Sequence, residues 1–323
     1  MLASQHAFFS NILDYAGMFP PAQLPLDASI RNYLQYQSEA ESWLLARFIC
    51  PAGRLHDLRP YIAEHVGSGS PLRISVLGSG GDRAATFLDN LNSDLKATAD
   101  FRQEFGPAVA VECFEARLPA GDLLEPADLL RMTSATFAAK GSAALPRFFE
   151  LPATANWPRI ANALAALHHA ASPEGQGVAD GRALNGLKLR CGGSEPAAIP
   201  SASQVATAIG ACLSAYVPLK FTAGLHQPVR CVAPALGTRV HGFLNLFAAG
   251  ILGASAGLEY DELVAIIEEE DVTQFIFSDD LFAWNGAKAT VSEIAHARHR
   301  NVISFGSCSF DEPRDGLREL GYL

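Results

Sequence analysis

Eight times along this chain a short apolar or alternating run is followed by a helical segment, and that repeat most restricts the folds open to it. Strands alternating with helices imply βαβ units and a parallel sheet. The predicted strands are Trp43–Pro51, Leu72–Ser79, Ala108–Arg117, Arg147–Leu151, Leu184–Cys191, Pro218–Gly224, Thr273–Asp279 and Asn301–Ser307. Helices are predicted over Arg54–Val66, Asp82–Phe105, Pro126–Lys140, Asn156–Ala171, Ser201–Tyr216, Gly237–Ala256, Asp261–Asp271, Val291–Arg300 and Arg314–Leu320. Eight units in order favour a single closed (β/α)8 TIM barrel over an open sheet, which usually carries a glycine fingerprint after its first strand. Here that strand ends Phe48-Ile49-Cys50-Pro51. Residues 1–42 are expected to form an N-terminal helical extension packed on the barrel of residues 43–323. Within it, Asp14-Tyr15-Ala16-Gly17 is read as a plug for the barrel bottom, with a crossing to the mouth as the alternative.

Charge and cysteine usage narrow the partners. The chain of 323 residues has a formal net charge of -10. That balance argues against nucleic acid or an anionic membrane surface, both of which call for a basic face. The start, MLASQHAFFSNILDY, has no basic region followed by an apolar core, and no stretch of about 18 apolar residues suggests a membrane span. Six cysteines without a CxxC pair are expected as reduced thiols in a cytoplasmic protein. The apolar segment Gly237–Ala256 is expected to be buried on most sides, partly against another subunit of a homo-oligomer.

In barrels of this kind chemistry gathers at the carboxyl ends of the strands. The run Leu187-Lys188-Leu189-Arg190-Cys191-Gly192-Gly193 alternates, so Lys188 and Arg190 share the interior face. In Leu219-Lys220-Phe221-Thr222-Ala223-Gly224-Leu225-His226 the same rule puts Lys220, Thr222 and His226 together. Cations facing one space need partners. Glu112 and Glu150, each inside a predicted strand, are the expected ones. Glu115 and Arg117 fall on the opposite face from Glu112 and are ranked lower. Gly192-Gly193 can form an anion nest beside Arg190, and Ser307 and Asp279 are expected to line the mouth.

Two lysines in one interior suit Schiff-base chemistry, which needs an amine neutral near pH 7. Burial and neighbouring cations can lower a lysine pKa to roughly 7–8. The segments Lys220-Phe221-Thr222-Ala223-Gly224-Leu225-His226 and Lys188-Leu189-Arg190-Cys191-Gly192-Gly193 resemble the paired lysine segments of the class I aldolases, in particular deoxyribose-phosphate aldolase. The resemblance implies a lyase needing no cofactor, with Lys220 as the imine-forming amine. Lys188 would tune it, Glu112 or Glu150 would move protons, and Arg190 would hold a small anionic carbonyl or carboxylate substrate. It also shows a departure. In that family the lysines stand on strands six and seven, whereas the predicted strands put them on five and six.

Other chemistries stay open at this level. Glu150, His226 and Asp279 could bind a divalent metal for an isomerase, lyase or hydrolase, although no ligand spacing supports it. Cys308 could be a nucleophile with His226 as its base. The barrel could also bind a metabolite without catalysis.

Overall fold

The computed structural model describes residues 1–65, 70–119, 125–170, 178–179, 182–183 and 185–323, with the side chains of 168–170, 178–179 and 182–183 left aside. Val66, Ala171 and Leu184, at the ends of predicted elements, lie outside the described residues.

Eight parallel strands close into a barrel. In chain order they are β1 (Leu13–Tyr15), β2 (Leu45–Pro51), β3 (Leu72–Leu77), β4 (Val109–Arg117), β5 (Arg147–Leu151), β6 (Asn185–Arg190), β7 (Leu219–Thr222) and β8 (Val302–Ser307). β1 closes the ring by pairing with both β2 and β8. Helices α1 (Ala3–Phe9) and α2 (Leu26–Tyr36) flank β1. After β2 to β6 come α3 (Arg59–His65), α4 (Ala84–Phe105), α5 (Pro126–Ala139), α6 (Trp157–Ala170) and α7 (Ala202–Ser214). β7 is followed by α8 (Phe243–Ser255) and α9 (Tyr260–Glu268), and α10 (Val291–Arg300) and α11 (Asp311–Glu319) flank β8.

The count of eight strands stands, but one member differs. Residues 13–15 are a wall strand and not a plug, so the expected boundary at residue 42 runs through the barrel itself. The first helix of the expected N-terminal extension ends at Phe9, and Asn11 turns the chain with a φ of 51°. The segment Thr273–Asp279 is no barrel strand. Ile276–Phe277 pairs antiparallel with Leu281–Trp284, which pairs with Ala287–Thr290. Ser278 closes the first hairpin: its Oγ accepts hydrogen bonds from the N–H groups of Asp280 and Leu281, as a polar turn residue does. Phe277 packs, partly buried, against Phe8, Phe9, Phe282 and Tyr322, so its apolar surface is used outside the barrel.

Two features fix the frame around the barrel. Arg298, near the end of α10, donates to the carbonyls of Phe8, Ser10, Val302 and Ile303, binding α1 to β8. α8 is buried from Phe243 to Leu252 within the single chain, by α7, α9 and α10, so its apolar character needs no second subunit. Residues 238–240, expected as its first turn, are instead half of a hairpin with Cys231–Ala233. Pro196–Ser214 is long and apolar enough by composition for a membrane span, yet it consists of a 3-10 turn and α7, packed on α6, α8 and α9.

Candidate active site

Parallel pairing sets the site. Cα partners on neighbouring strands present their side chains to the same face of the sheet. Arg117, Glu150, Lys188 and Lys220 are such partners in succession across β4, β5, β6 and β7. Leu187 and Leu189 face outward into the core, which turns Lys188 inward, and Phe221 packs on Phe247 of α8, which does the same for Lys220.

The interior holds a ladder of alternating charge running from one end of the barrel to the other. It begins with Arg73, second residue of β3, whose Nε donates to Glu112 at 2.7 Å. Glu112 meets Arg47 at 2.8 Å, and Arg47 meets Asp14 at 3.1 Å. Asp14 pairs with Lys220 at 2.7 Å, and Lys220 also contacts Glu115. Glu115 pairs with Lys188 at 2.7 Å, and Lys188 reaches Glu150 at 3.2 Å. Glu150 lies 3.7 Å from Arg190, last residue of β6. Asp14 and Glu115 are fully enclosed, and Lys220 is 1% exposed against 4% for Lys188. Ser304 donates to Asp14, and Ser75 donates to Glu115. Cys113 and Phe148 fill the space beside Lys220, with the ammonium 5.1 Å from the Phe148 ring centre.

Burial alone would neutralise these groups, but paired charges outweigh it. Desolvation pushes Glu115 up, yet Lys188 and Lys220 together hold its carboxyl well below the usual range. Asp14 is treated likewise by Lys220 and Arg47, and Glu112 by Arg73 and Arg47. Burial draws Lys188 down, but Glu115 and Glu150 hold it above the ordinary lysine value. Lys220 is held up in the same way by Asp14 and Glu115. The expectation that neighbouring cations would leave a lowered lysine is therefore corrected: in the resting site both amines are ammonium ions.

The structure joins Lys188, Lys220, Glu150 and Arg190 directly. It places Glu112 elsewhere, near the amino ends of the strands. A bulge in β4 explains both this and the promotion of Glu115. Ile74 pairs with Val111 and Ser75 with Cys113, so Glu112 is the extra residue. The slip lets Glu112 and Glu115, three apart, both reach the interior, which strict alternation forbids. Asp14 and Arg47 were also missed. Arg47 carries the same signal as Lys188, a cation inside an apolar strand, whereas Asp14 sits in a strand of only three residues.

The remaining expected residues scatter. Thr222 is partner to both Arg190 and Gly306. Gly192 touches the loop after β7, where an added Cβ would lie 2.9 Å from Gly224 Cα, and Gly193 abuts Ala198. His226 Nδ1 lies 2.7 Å from Glu312. Ser307 is buried, its Oγ accepting from the Ser309 N–H. Asp279 is exposed in the hairpin turn whose Ser278 carbonyl accepts from Ser4. Glu150, His226 and Asp279 are thus not assembled as a metal site, and among the described residues no other group of three or more His, Cys, Asp or Glu is. Burial pushes the Cys308 thiol up, the reverse of an activated nucleophile.

Two clefts lie away from the ladder. One of about 420 Å³ is lined by Arg102, Lys140 and Ser142, and one of about 410 Å³ by Ser201, Arg230, Arg239 and His241. Neither is lined by a ladder side chain.

No protein-family model and no curated protein matches the chain. Among solved structures it is similar to the deoxyribose phosphate aldolase of Aeropyrum pernix, described as a unique tetramer. The identity is 12%, with 70% of this chain and 85% of that chain covered and a TM-score of 0.44. A likeness of that size carries no argument about chemistry. The closed parallel barrel is itself the fold that the lysine segments' resemblance to class I aldolases implies. With Leu13–Tyr15 counted as the first strand, Lys188 and Lys220 stand on the sixth and seventh, which removes the departure seen in the sequence.

Proposed function

We propose that this chain is a Schiff-base lyase of the aldolase kind, acting on a small anionic carbonyl or 2-oxo acid compound. The observation that carries the reading is one buried carboxylate, Glu115, shared by two interior lysines. Enclosed charge is a poor source of stability, whereas an amine–carboxylate–amine cluster suits proton movement.

On this reading the reactive amine is Lys188 and not Lys220, the residue expected from sequence. Lys220 is locked between Asp14 and Glu115 in the middle of the ladder. Lys188, its Cα partner on β6, bears instead on Glu150, whose other neighbour is the half-exposed Arg190 at the carboxyl end of the strand. A carbonyl entering at the strand ends therefore meets Lys188 first. Its ammonium passes a proton to Glu150 or Glu115, a transfer favoured by the fixed charge of Lys220. The neutral amine adds to the carbonyl carbon, and the carbinolamine loses water with a proton returned by the carboxyl group. The resulting iminium accepts the electron pair of the breaking carbon–carbon bond, while a carboxylate takes the proton of the departing hydroxyl.

Borohydride added to the protein with a panel of aldehydes and 2-oxo acids tests this. A reduced covalent adduct on the intact chain is expected. No adduct across the panel would leave the ladder as a set of fixed charges in a binding barrel. A homo-oligomer in the cytoplasm is part of the same proposal, tested by sedimentation and fractionation.

A further inference from the structure

Arg117 is the last residue of β4 and the Cα partner of Glu150, so it belongs to the interior face. Glu150 nevertheless turns to Lys188 and Arg190, and Arg117 has no ion pair among the described residues. It is exposed at the carboxyl end, where Arg190 is also 52% exposed. Two guanidinium groups thus flank one carboxylate on three adjacent strands, in a chain whose net charge is strongly negative. The ladder itself holds Arg73, Arg47, Lys220, Lys188 and Arg190 against Glu112, Asp14, Glu115 and Glu150. Arg117 adds a further positive charge that nothing described there answers.

We propose that Arg117 and Arg190 form a two-arginine clamp for an anionic group of the substrate, carboxylate or phosphate, held away from the carbonyl that Lys188 attacks. The clamp rests on the Schiff-base reading and names the substrate class for it: a carbonyl compound whose anion is separated from its carbonyl by at least one carbon. A guanidinium offers a planar pair of donors that fits either anion. The clamp also couples binding to chemistry. An anion that draws Arg190 away leaves Glu150 to Lys188 alone.

The sequence alone set Arg117 aside with Glu115, because alternation counted from Glu112 turns both away. The bulge at Glu112 reverses that count.

Two probes separate the clamp from the imine. Succinic semialdehyde and butanal share a four-carbon aldehyde, but only the first carries a carboxylate. In borohydride trapping the semialdehyde is expected to half-saturate the wild type at a concentration at least about tenfold lower, about 1.4 kcal/mol of discrimination. That ratio should fall toward unity in Arg117→Met and recover in part in Arg117→Lys, which keeps charge without the fork. Succinate and inorganic phosphate, which have no carbonyl, report anion binding by calorimetry, and the one that binds names the group. Binding weakened about tenfold in Arg117→Met supports the clamp, even if no aldehyde is trapped and the imine reading falls. A ratio near unity in the wild type, or anion binding absent or indifferent to Arg117→Met, overturns it while leaving any Lys188 adduct to stand.

Discussion

Replacing Glu115 by Gln removes the carboxylate on which the interior turns. Glu115 is fully enclosed and touches both lysines. After the change Lys220 keeps Asp14 and Lys188 keeps Glu150, but the cluster loses one negative charge and gains an amide N–H₂ facing two ammonium donors. Breaking a buried ion pair of this kind costs about 3–5 kcal/mol, and that loss is expected near neutral pH. The pH dependence has a distinct sign. In the wild type both lysines are held above their ordinary value, so their contribution is complete below about pH 10.4 and fades only as pH rises through the raised folded values. In Glu115→Gln Lys188 loses the largest charge that holds it up, so burial and the Lys220 charge are expected to take it below the unfolded value, while Lys220 stays held by Asp14. The unfolded chain then binds more protons between those values, and stability climbs with pH. Urea unfolding followed by circular dichroism at about pH 7 and about pH 10 should therefore show the gap between the two proteins narrowing at the higher value. A gap under about 1 kcal/mol at neutral pH, or one that does not change with pH, would refute the reasoning.

Arg298→Met should leave the carbonyls of Phe8, Ser10, Val302 and Ile303 without their donors. At the low end of roughly 1–3 kcal/mol for each buried group left unpaired, because water relieves part of the loss, a total of about 4 kcal/mol is expected. Amide exchange in α1 and at the start of β8 should accelerate first; uniform exchange across the barrel would count against this role of Arg298. Gly192→Ala puts a Cβ 2.9 Å from Gly224 Cα, a backbone contact that cannot swing aside. Overpacking of this sort costs about 1–3 kcal/mol and should spread the loops after β6 and β7. A variant with unchanged melting and unchanged borohydride trapping would show that the close approach does not matter.

The barrel was legible because most of its strands are apolar runs separated by long helices, and residue alternation placed Lys188, Lys220 and Arg190 correctly. What escaped follows from local irregularity. β1 is three residues long with a charged centre, so neither length nor composition marks it as a strand. The Thr273–Asp279 run has the apolar character of a barrel strand, but Ser278-Asp279-Asp280 is a turn signal that ends it in a hairpin. Glu112 and Glu115 exchanged roles because a single bulge resets the face to which every later residue of β4 points. Asp14 became visible only when β1 joined the wall, since its partners, Arg47 and Lys220, come from distant parts of the chain.

The most direct measurement is peptide mapping of the borohydride-reduced adduct by mass spectrometry in the wild type, Lys188→Ala and Lys220→Ala. The expected result is a single modified peptide carrying Lys188, absent from Lys188→Ala. In Lys220→Ala, labelling should persist with an altered pH profile, because Lys188 has lost the neighbouring charge that favours its neutral form. An adduct that maps to Lys220, or one that survives in Lys188→Ala, would contradict the assignment of Lys188 as the reactive amine.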